Sequence, residues 1–347
     1  MGLIGSAAAR LGESVPWPDS ILRGAIDLLV ARTDRRLTMS RPAETSRFAK
    51  AMAGFPIAMH TADANAQHYE LPERFFALIL GPRRKYSCCL FASANTSLAE
   101  AEEHALAETA SHADLHDGQR ILELGCGWGS LSLWMAEHFP NARIMAVSNS
   151  LSQRTYIKGE AAKRGLTNLT VVTADMNDFS TGQTFDRIVS VEMFEHMANW
   201  RLLLARRNGW VVPDGRAFIH VFSHAVAPYR FDHDDPADWI ARHFFTGGLM
   251  PSHGLMHEFP DSFTVEQHWR LSGDHYRRTS DAWLMNYDAN ADEVCAILRE
   301  VYGREAALWG RRWRLFFLAT SGLFGHSNGN AWGISHYRLA PSLRPGR

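Results

Sequence analysis

Three glycines alternate along one short stretch of this sequence. Gly125, Gly127 and Gly129 follow the predicted strand Arg120–Leu124 and precede a segment with a helical apolar pattern. Glycine lets the backbone turn sharply and approach a ligand closely, and the N-terminus of a helix offers unpaired N–H donors. The stretch therefore predicts a ligand-binding loop at a strand-to-helix turn, with a tight structural turn as the alternative.

An acidic residue before this loop indicates the kind of ligand. Glu123 lies two residues before Gly125, where its carboxylate can face the ammonium of an amino-acid moiety and would repel a pyrophosphate. The spacing G-x-G-x-G also differs from the G-x-G-x-x-G of dinucleotide sites. Both features favour S-adenosylmethionine as the cofactor.

Polar residues after the next two predicted strands could hold the nucleoside part of this cofactor. Where most nucleoside-binding sheets carry a carboxylate for the ribose, the sequence has Asn149, Ser150 and Gln153. Asp175, which is followed by Met176, can accept a hydrogen bond from the adenine amino group. We expect all five residues at the cofactor site, although Asp175 could instead cap the turn that follows it.

Two carboxylates and an imidazole form a compact cluster farther along the chain. Glu192, Glu195 and His196 stand at relative positions i, i+3 and i+4 after a predicted strand, so a helical turn would place them on one face. Two carboxylates at close range raise the pKa of one of them, which suits a base that works near neutral pH. We expect these three residues to be catalytic; the alternative is that Glu195 or His196 caps a helix or pairs with Arg201.

The elements that position these residues alternate between strand and helix. Strands are predicted at 120–124, 143–148, 170–174, 187–191 and 217–222, with helices between them. Strands and helices that alternate at this spacing imply right-handed crossovers and a parallel sheet. The sequence therefore predicts an α/β fold with its sheet between about residues 115 and 224.

Helical segments are expected on both sides of this sheet. Residues 1–85 are predicted to form an N-terminal helical cap, and residues 86–347 the domain that holds the sheet. An insertion at about 225–325 is expected to cover the substrate. The finer predictions are helices at 19–37 and 73–80, an acidic insertion over the sheet edge at 225–262, helices at 281–302 and 304–324, and a closing strand at 332–339.

Composition excludes several other classes of protein. The 347 residues carry a formal net charge of −1, so no basic field favours nucleic acid or an anionic membrane. The four cysteines have neither the spacing of a disulfide framework nor that of a zinc site. There is no apolar run of transmembrane length, and Met1–Ser6 lacks the pattern of a signal peptide. We expect a cytoplasmic protein without a bound metal, with a homodimer as one alternative for its oligomeric state.

The motifs together resemble those of one superfamily, that of cyclopropane-fatty-acyl-phospholipid synthases and coclaurine N-methyltransferases. The resemblance covers about residues 70–340 and implies the Rossmann-like fold of class I methyltransferases. It rests on Tyr86-Ser-Cys88, Ile121-Leu-Glu-Leu-Gly-Cys-Gly-Trp-Gly129, Ser148-Asn-Ser150 with Gln153, and Glu192-Met-Phe-Glu-His196.

Some details resemble the coclaurine N-methyltransferase branch more closely. Lipid cyclopropane synthases have glycine where this chain has Glu192, and a bicarbonate-holding tyrosine where it has Leu284. Other similarities to the N-methyltransferases are Trp269-Arg-Leu-Ser-Gly273 and the run from Phe324 to His336. Cys88, Glu195 and His220, however, still match bicarbonate-site positions of the lipid enzymes.

The resemblance also implies roles for individual residues. Tyr86 and Ser87 would lie over the methionine part of the cofactor. Cys88 and His220 could face the substrate, or they could be buried residues of the core. Trp313, in the aromatic last helix, could wall the pocket and contact a cationic amine. The leading hypothesis is N-methylation of a small amine; the alternatives are transfer to a lipid double bond and a non-catalytic S-adenosylmethionine binder.

Overall fold

The computed structural model describes residues 13, 15–40, 43–59, 71–235 and 238–342. The predicted absence of a signal peptide at Met1–Ser6 lies outside these residues. Within the described ranges, no helix is long and apolar enough to cross a membrane.

A seven-stranded sheet forms the centre of the molecule. Its order is β3-β2-β1-β4-β5-β9-β8. The first five strands in this order are parallel to one another, β9 pairs antiparallel with β5, and β8 pairs antiparallel with β9. A separate two-stranded ribbon pairs β6 with β7. The strands are β1 Arg120–Leu124, β2 Arg143–Ser148, β3 Leu169–Thr173, β4 Phe185–Val191, β5 Val211–His224, β6 Tyr229–Arg230, β7 Leu249–Met250, β8 Phe263–Ser272 and β9 Trp332–Pro341.

Helices cover the sheet; four of the helices listed here precede β1, and three lie between β8 and β9. They are α1 Asp19–Thr38, α2 Ala43–Ala51, α3 Glu73–Ile79, α4 Leu98–His112, α5 Ser130–His138, α6 Leu151–Lys163, α7 Trp200–Asn208, α8 Trp239–His243, α9 Asp274–Ala289, α10 Ala291–Tyr302 and α11 Ala306–Gly325. Helix α4 begins directly after Ser97, because Ser97 and Glu100 form a reciprocal capping box. The predicted α/β fold with a mostly parallel sheet is confirmed.

The strand order reverses between β1 and β4, and this reversal locates the ligand-binding edge. The chain crosses to one side of β1 to build β2 and β3, then to the other side to build β4 and β5. In open α/β sheets a crevice forms at this point, at the carboxyl ends of the strands. Gly125, Asn149 and Glu192 all follow the ends of their strands at that edge.

The structure differs from the sequence predictions in the last third of the chain. Strand β8 was not predicted, because it is an edge strand with few buried side chains and so lacks an apolar alternation. The two helices expected at 281–302 and 304–324 are three, since α9 begins earlier and ends at Ala289. The break follows from Asn290, whose side chain donates to the carbonyls of Leu78 and Asn286.

Helix α1 packs against helices α9 and α11. Ile26 of α1 contacts Gly322 of α11 so closely that a Cβ there would lie 2.5 Å from Ile26 Cγ2. Arg23 donates to Asp281 at 3.0 Å, and Asp34 lies 3.2 Å from ring nitrogens of both His224 and His326. The N-terminal helix therefore shares one hydrophobic cluster with α9 and α11. The boundary predicted at residue 85 stays a prediction.

Candidate active site

A cleft opens at the carboxyl edge of β1 to β4. It encloses about 760 Å³ of empty space, its mouth included. Its walls come from all four strand ends and from the insertion after β5, so that the insertion reaches the site rather than only the sheet edge. The lining residues are Ala58, Met59, Gly125, Gly127, Val147, Ser148, Asn149, Gln153, Ala174, Asp175, Met176, Glu192, Met193, His196, Met197 and Thr246.

The glycine loop forms the floor of this cleft. Gly125, Gly127 and Gly129 have φ angles of 78°, 52° and 79°, a region that favours glycine. A Cβ on Gly125 would lie 2.7 Å from Met193, and one on Gly129 would lie 2.6 Å from Ile157. Gly125 and Gly127 line the cleft, whereas Gly129 allows α5 to pack against α6.

Glu123 lies behind the lining residues of the cleft. Its side chain is buried, and the Ser132 hydroxyl donates a hydrogen bond to its carboxylate. Burial raises the pKa of Glu123 to about 7. The structure thus places it next to the loop but not on the cleft surface, and its contact with a ligand ammonium stays a prediction.

The polar residues after β2 and β3 have the chemistry that a nucleoside needs. Ser148 Oγ donates to Gln153 Oε1 at 2.6 Å, which leaves the buried Gln153 Nε2 without a partner among the described residues. Asp175 and Met176 line the same wall, and Asp175 Oδ1 accepts from the Asn177 backbone at 2.7 Å. Ser150 does not line the cleft; it caps α6. An orphaned amide donor beside a glycine cradle fits S-adenosylmethionine.

Glu192 is the buried carboxylate of the cleft. It has φ = 48°, and its N–H donates to the His220 carbonyl at 2.9 Å, which holds this uncommon conformation in place. Its Oε1 accepts from the Cys88 backbone N–H at 2.9 Å and lies 3.2 Å from His220 Nε2. Its Oε2 accepts from the Tyr276 hydroxyl at 2.7 Å.

The protonation of Glu192 reflects a balance between burial and these donors. Burial raises the pKa of Glu192 above its usual value, while Lys85, the Cys88 N–H, the Tyr276 hydroxyl and His196 lower it. The net effect is a raised pKa, which moves this carboxylate toward the range of a base that works near neutral pH.

Glu192, Glu195 and His196 do not share a helical face. Only Phe194–His196 forms a 3₁₀ turn, and Glu192 precedes it in a left-handed conformation. Glu192 and His196 line the cleft, and the His196 ring stacks on Phe245 with centroids 5.2 Å apart. This corrects the expectation of one common face.

Glu195 instead points toward β5. Its Oε1 accepts from the Phe222 N–H at 2.7 Å, and its Oε2 has no partner among the described residues. Burial, with a further contribution from Glu192, raises the pKa of Glu195 well above its usual value. Glu195 therefore does not act as a second carboxylate on the cleft surface, and its catalytic role stays a prediction.

The segment before α4 lies over Glu192. Lys85 is buried and donates to Ser87 Oγ at 2.5 Å and to the Cys88 carbonyl at 2.7 Å. The Tyr86 ring packs against Phe76, with centroids 5.4 Å apart. Tyr86, Ser87 and Cys88 do not line the cleft in this structure; Cys88 contacts the site through its backbone.

Comparison with known proteins relates this arrangement to one family. The profile of the family described as "Mycolic acid cyclopropane synthetase" matches residues 58–331. The chain belongs to this family. It is 37% identical to (S)-coclaurine N-methyltransferase of Thalictrum flavum subsp. glaucum, over 81% of this chain and 79% of that protein. It is 28% identical to cyclopropane-fatty-acyl-phospholipid synthase of Escherichia coli (strain K12), over 69% of this chain and 60% of that protein.

A solved structure resembles the whole fold. The crystal structure of coclaurine N-methyltransferase bound to N-methylheliamine and S-adenosylhomocysteine aligns with a TM-score of 0.90 and 33% identity, covering 95% of this chain and 97% of that chain. As a member of this family, the chain is an S-adenosylmethionine-dependent methyltransferase. The predicted superfamily, enzyme class and cofactor are confirmed over the alternative of a non-catalytic binder.

In this family member, the predicted substrate residues occupy different environments. His220 is buried beside Glu192, as described above. Trp313 is completely buried among aromatic rings that include Phe244 and Phe316, and it does not line the cleft. Leu284 lies in the same hydrophobic cluster. A substrate contact for Trp313 stays a prediction.

Sequence reasoning missed three residues that act on Glu192 or its neighbours. Lys85 and Tyr276 were overlooked because neither belongs to a compact polar motif. His336 ends the run from Phe324 that resembles the N-methyltransferases, but that resemblance does not indicate that its Nε2 lies 2.9 Å from His220 Nδ1. Among the described residues, no group of three or more His, Cys, Asp or Glu side chains is placed to hold a metal ion.

Proposed function

We propose that this methyltransferase transfers a methyl group to the nitrogen of a small aromatic or alkyl amine. The observation that supports the proposal most is the Glu192 carboxylate, which is buried, has a raised pKa and lines the same cleft as the glycine loop. Three relatives that are 32–37% identical to this chain carry the names of N-methyltransferases.

The cofactor and the protein divide the chemistry between them. When bound, S-adenosylmethionine supplies a methyl group on a positively charged sulfur that departs with the bonding electron pair. Gly125 and Gly127 would support its amino-acid part, and Gln153 and Asp175 its nucleoside part. Burial in a shaped cleft aligns the reacting atoms, which can contribute about 7–11 kcal/mol to the rate.

Glu192 prepares the amine for attack. An alkylamine is protonated near neutral pH, so its nitrogen has no lone pair until a base removes a proton. The Glu192 carboxylate attracts the ammonium and accepts that proton, and its raised pKa makes the transfer less unfavourable. His196, held against Phe245, also lines the cleft and could hydrogen-bond the same nitrogen.

A second candidate, transfer to the double bond of a lipid acyl chain, is supported by the residues shared with lipid enzymes. By resemblance, Cys88 and His220 match positions that hold bicarbonate in those enzymes. Here the Cys88 N–H and His220 Nε2 contact the Glu192 carboxylate instead. A side-chain carboxylate in place of a bound anion favours the amine hypothesis.

An assay with labelled cofactor distinguishes the two candidates. The protein would be incubated with methyl-labelled S-adenosylmethionine and either a panel of aromatic and alkyl amines or vesicles of unsaturated phospholipid. We expect label in at least one amine and none in lipid. Label in phospholipid but in no amine would refute the proposal and support the second candidate.

Several features remain predictions. They are a cytoplasmic location, the lack of nucleic-acid binding and of stable membrane insertion, the oligomeric state and the division at residue 85. The four cysteines are free thiols in the structure, which is compatible with a reducing compartment.

A further inference from the structure

Three histidines form a row across the sheet, starting at Glu192. His220 of β5 stands directly opposite His336 of β9, and His336 stands opposite Trp269 of β8. Val191, the residue before Glu192, is the partner of His220 on the other side. The row therefore runs across the strands, from the cleft toward the outer edge of the sheet.

The row is continuous at hydrogen-bond distance. Glu192 Oε1 lies 3.2 Å from His220 Nε2, and His220 Nδ1 lies 2.9 Å from His336 Nε2. His336 Nδ1 lies 2.8 Å from Nδ1 of His112, which belongs to α4 and covers this face of the sheet. His112 Nε2 then lies 3.1 Å from Glu108 Oε1, one helical turn earlier.

One end of the row is closed and the other is open. The side chains of Glu192 and His220 are 8% and 4% exposed, whereas that of Glu108 is 37% exposed. The His112 ring stacks on Trp269 of the edge strand β8, with centroids 3.8 Å apart, and this contact fixes the orientation of the ring. A proton at the closed end has this row as a hydrogen-bonded route to solvent.

Burial favours the neutral form of the rings in the row. Burial lowers the pKa of His220 and of His336 well below the usual value for imidazole, and Lys85 lowers both further. Burial and Arg338 lower the pKa of His112, while Glu108 raises it. A neutral imidazole has one donor and one acceptor nitrogen, so it can take a proton on one side and release another on the opposite side.

We propose that Glu192, His220, His336, His112 and Glu108 form a proton relay that carries the proton of the amine substrate from the cleft to solvent. The proposal rests on the proposed function, because amine methylation releases one proton in each turnover. It assigns His220, His336 and His112 as positioning and relay residues, none of which needs to touch the substrate.

The transfer balances along the row. The amine N–H bond breaks, its electron pair stays on nitrogen, and an O–H bond forms on Glu192. Glu192 then protonates His220 Nε2, as His220 Nδ1–H protonates His336 Nε2 and His336 Nδ1–H protonates His112 Nδ1. His112 Nε2–H finally protonates Glu108, which exchanges with water. All three rings are neutral before and after the transfer, but each ends in the opposite tautomer. Each ring must return to its starting tautomer before the next proton can pass.

Replacement of His112, the last ring of the row before Glu108, gives the most direct test. His112→Ala removes the open end of the row without touching the cleft. His138→Ala is the matched control, because His138 also stacks on a tryptophan, Trp134, with centroids 3.9 Å apart, but lies off the row. In dilute buffer we expect His112→Ala to lower kcat at least about tenfold and imidazole to restore it, with His138→Ala close to the original protein.

A variant in the middle of the row separates relay from packing. His336→Gln keeps a hydrogen-bonding side chain but cannot pass a proton. We expect kcat to fall and the solvent isotope effect to change, while the affinity for S-adenosylhomocysteine and the KM of the amine stay within about twofold. Values of kcat for His112→Ala and His336→Gln equal to that of His138→Ala, at every pH and buffer concentration, would overturn the proposal.

A measurement without substrate distinguishes failure of the relay from failure of the proposed function. In protein labelled with ¹⁵N-histidine, NMR should show neutral, hydrogen-bonded His220 and His336 whose tautomers change in His112→Ala but not in His138→Ala. This result without any amine methylation would reject the proposed function and keep the row as a proton pathway to Glu192. Ring signals of His220 and His336 that do not respond to His112→Ala would reject the relay, even if amines are methylated.

Discussion

The backbone nitrogen of Cys88 lies 2.9 Å from Glu192 Oε1, so the segment before α4 and the turn after β4 meet at one carboxylate oxygen. His220 and the Tyr276 hydroxyl complete the surroundings of the same carboxylate. The Cys88 N–H and the Tyr276 hydroxyl would serve equally well as donors to a small bound anion. The protein therefore has an anion site that its own side chain fills, and this makes Glu192 testable in several independent ways.

Replacement of Glu192 by Gln should separate catalysis from cofactor binding. The amide has the shape of the carboxylate but cannot accept a proton from an ammonium, so we expect kcat to fall by about 10²–10⁴. The affinity for S-adenosylhomocysteine, measured by calorimetry, should stay unchanged because the glycine loop is intact. Glu293→Gln, at an exposed position of α10, is the control. Unaltered turnover would remove Glu192 from the mechanism.

Replacement of Glu192 by Gly should create a requirement for an added anion. Residue 192 has φ = 48°, a conformation that costs a non-glycine residue about 1–2 kcal/mol, so glycine relieves this backbone strain and offsets part of the cost of the lost side-chain contacts. The vacated donors should then bind formate or bicarbonate, which would partly restore amine methylation. Chloride, which is a poor base, should not. Activity that no carboxylate restores would argue against a base at this position.

Replacement of Tyr276 by Phe should shift the pH profile in a defined direction. The hydroxyl stabilises the charged form of Glu192, so its loss raises the pKa of Glu192 further. The base works when deprotonated; the acidic limb of kcat/KM should therefore move to higher pH, by about one unit. Tyr287→Phe on the same helix, where the hydroxyl donates to the Gly310 carbonyl, should leave the limb in place. A shift to lower pH would contradict the assignment.

The features that the sequence predicted correctly are local ones. The glycine loop depends on residues a few positions apart, so their spacing carries the information. Strand β8 lacks such a pattern, because among the described residues it pairs with β9 alone and has a single fully buried side chain. Its pairing is set by the distant strand and not by its own periodicity.

The candidate site shows the same division. Glu192 and His196 could be found from their spacing, but the separate orientation of Glu195 depends on the left-handed backbone at residue 192. The histidine row could not be found, since His112 and His336 are 224 positions apart and His220 and His336 are 116 apart. They meet only because β9 inserts antiparallel beside β5.

Replacement of Gly127 by Ala should test the cofactor loop without a steric clash. Its φ is 52° and no atom lies within 4 Å of a Cβ built there, so the folding cost should be only the about 1–2 kcal/mol of the left-handed conformation. Gly118→Ala is the matched control, because Gly118 has φ = 83°, equally open space and no part in the cleft. The free energy of unfolding, measured by thermal denaturation, should fall by a similar amount in both variants.

Only Gly127→Ala should also weaken the affinity for S-adenosylhomocysteine, by at least about tenfold. The added methyl group would occupy space where the cofactor approaches the backbone of the loop. Calorimetric titration of both variants measures this difference. Equal affinities in Gly127→Ala and Gly118→Ala would show that the loop positions the helix α5 but does not contact the cofactor at residue 127. The floor of the cleft would then have to be assigned to Gly125 and its neighbours after β2.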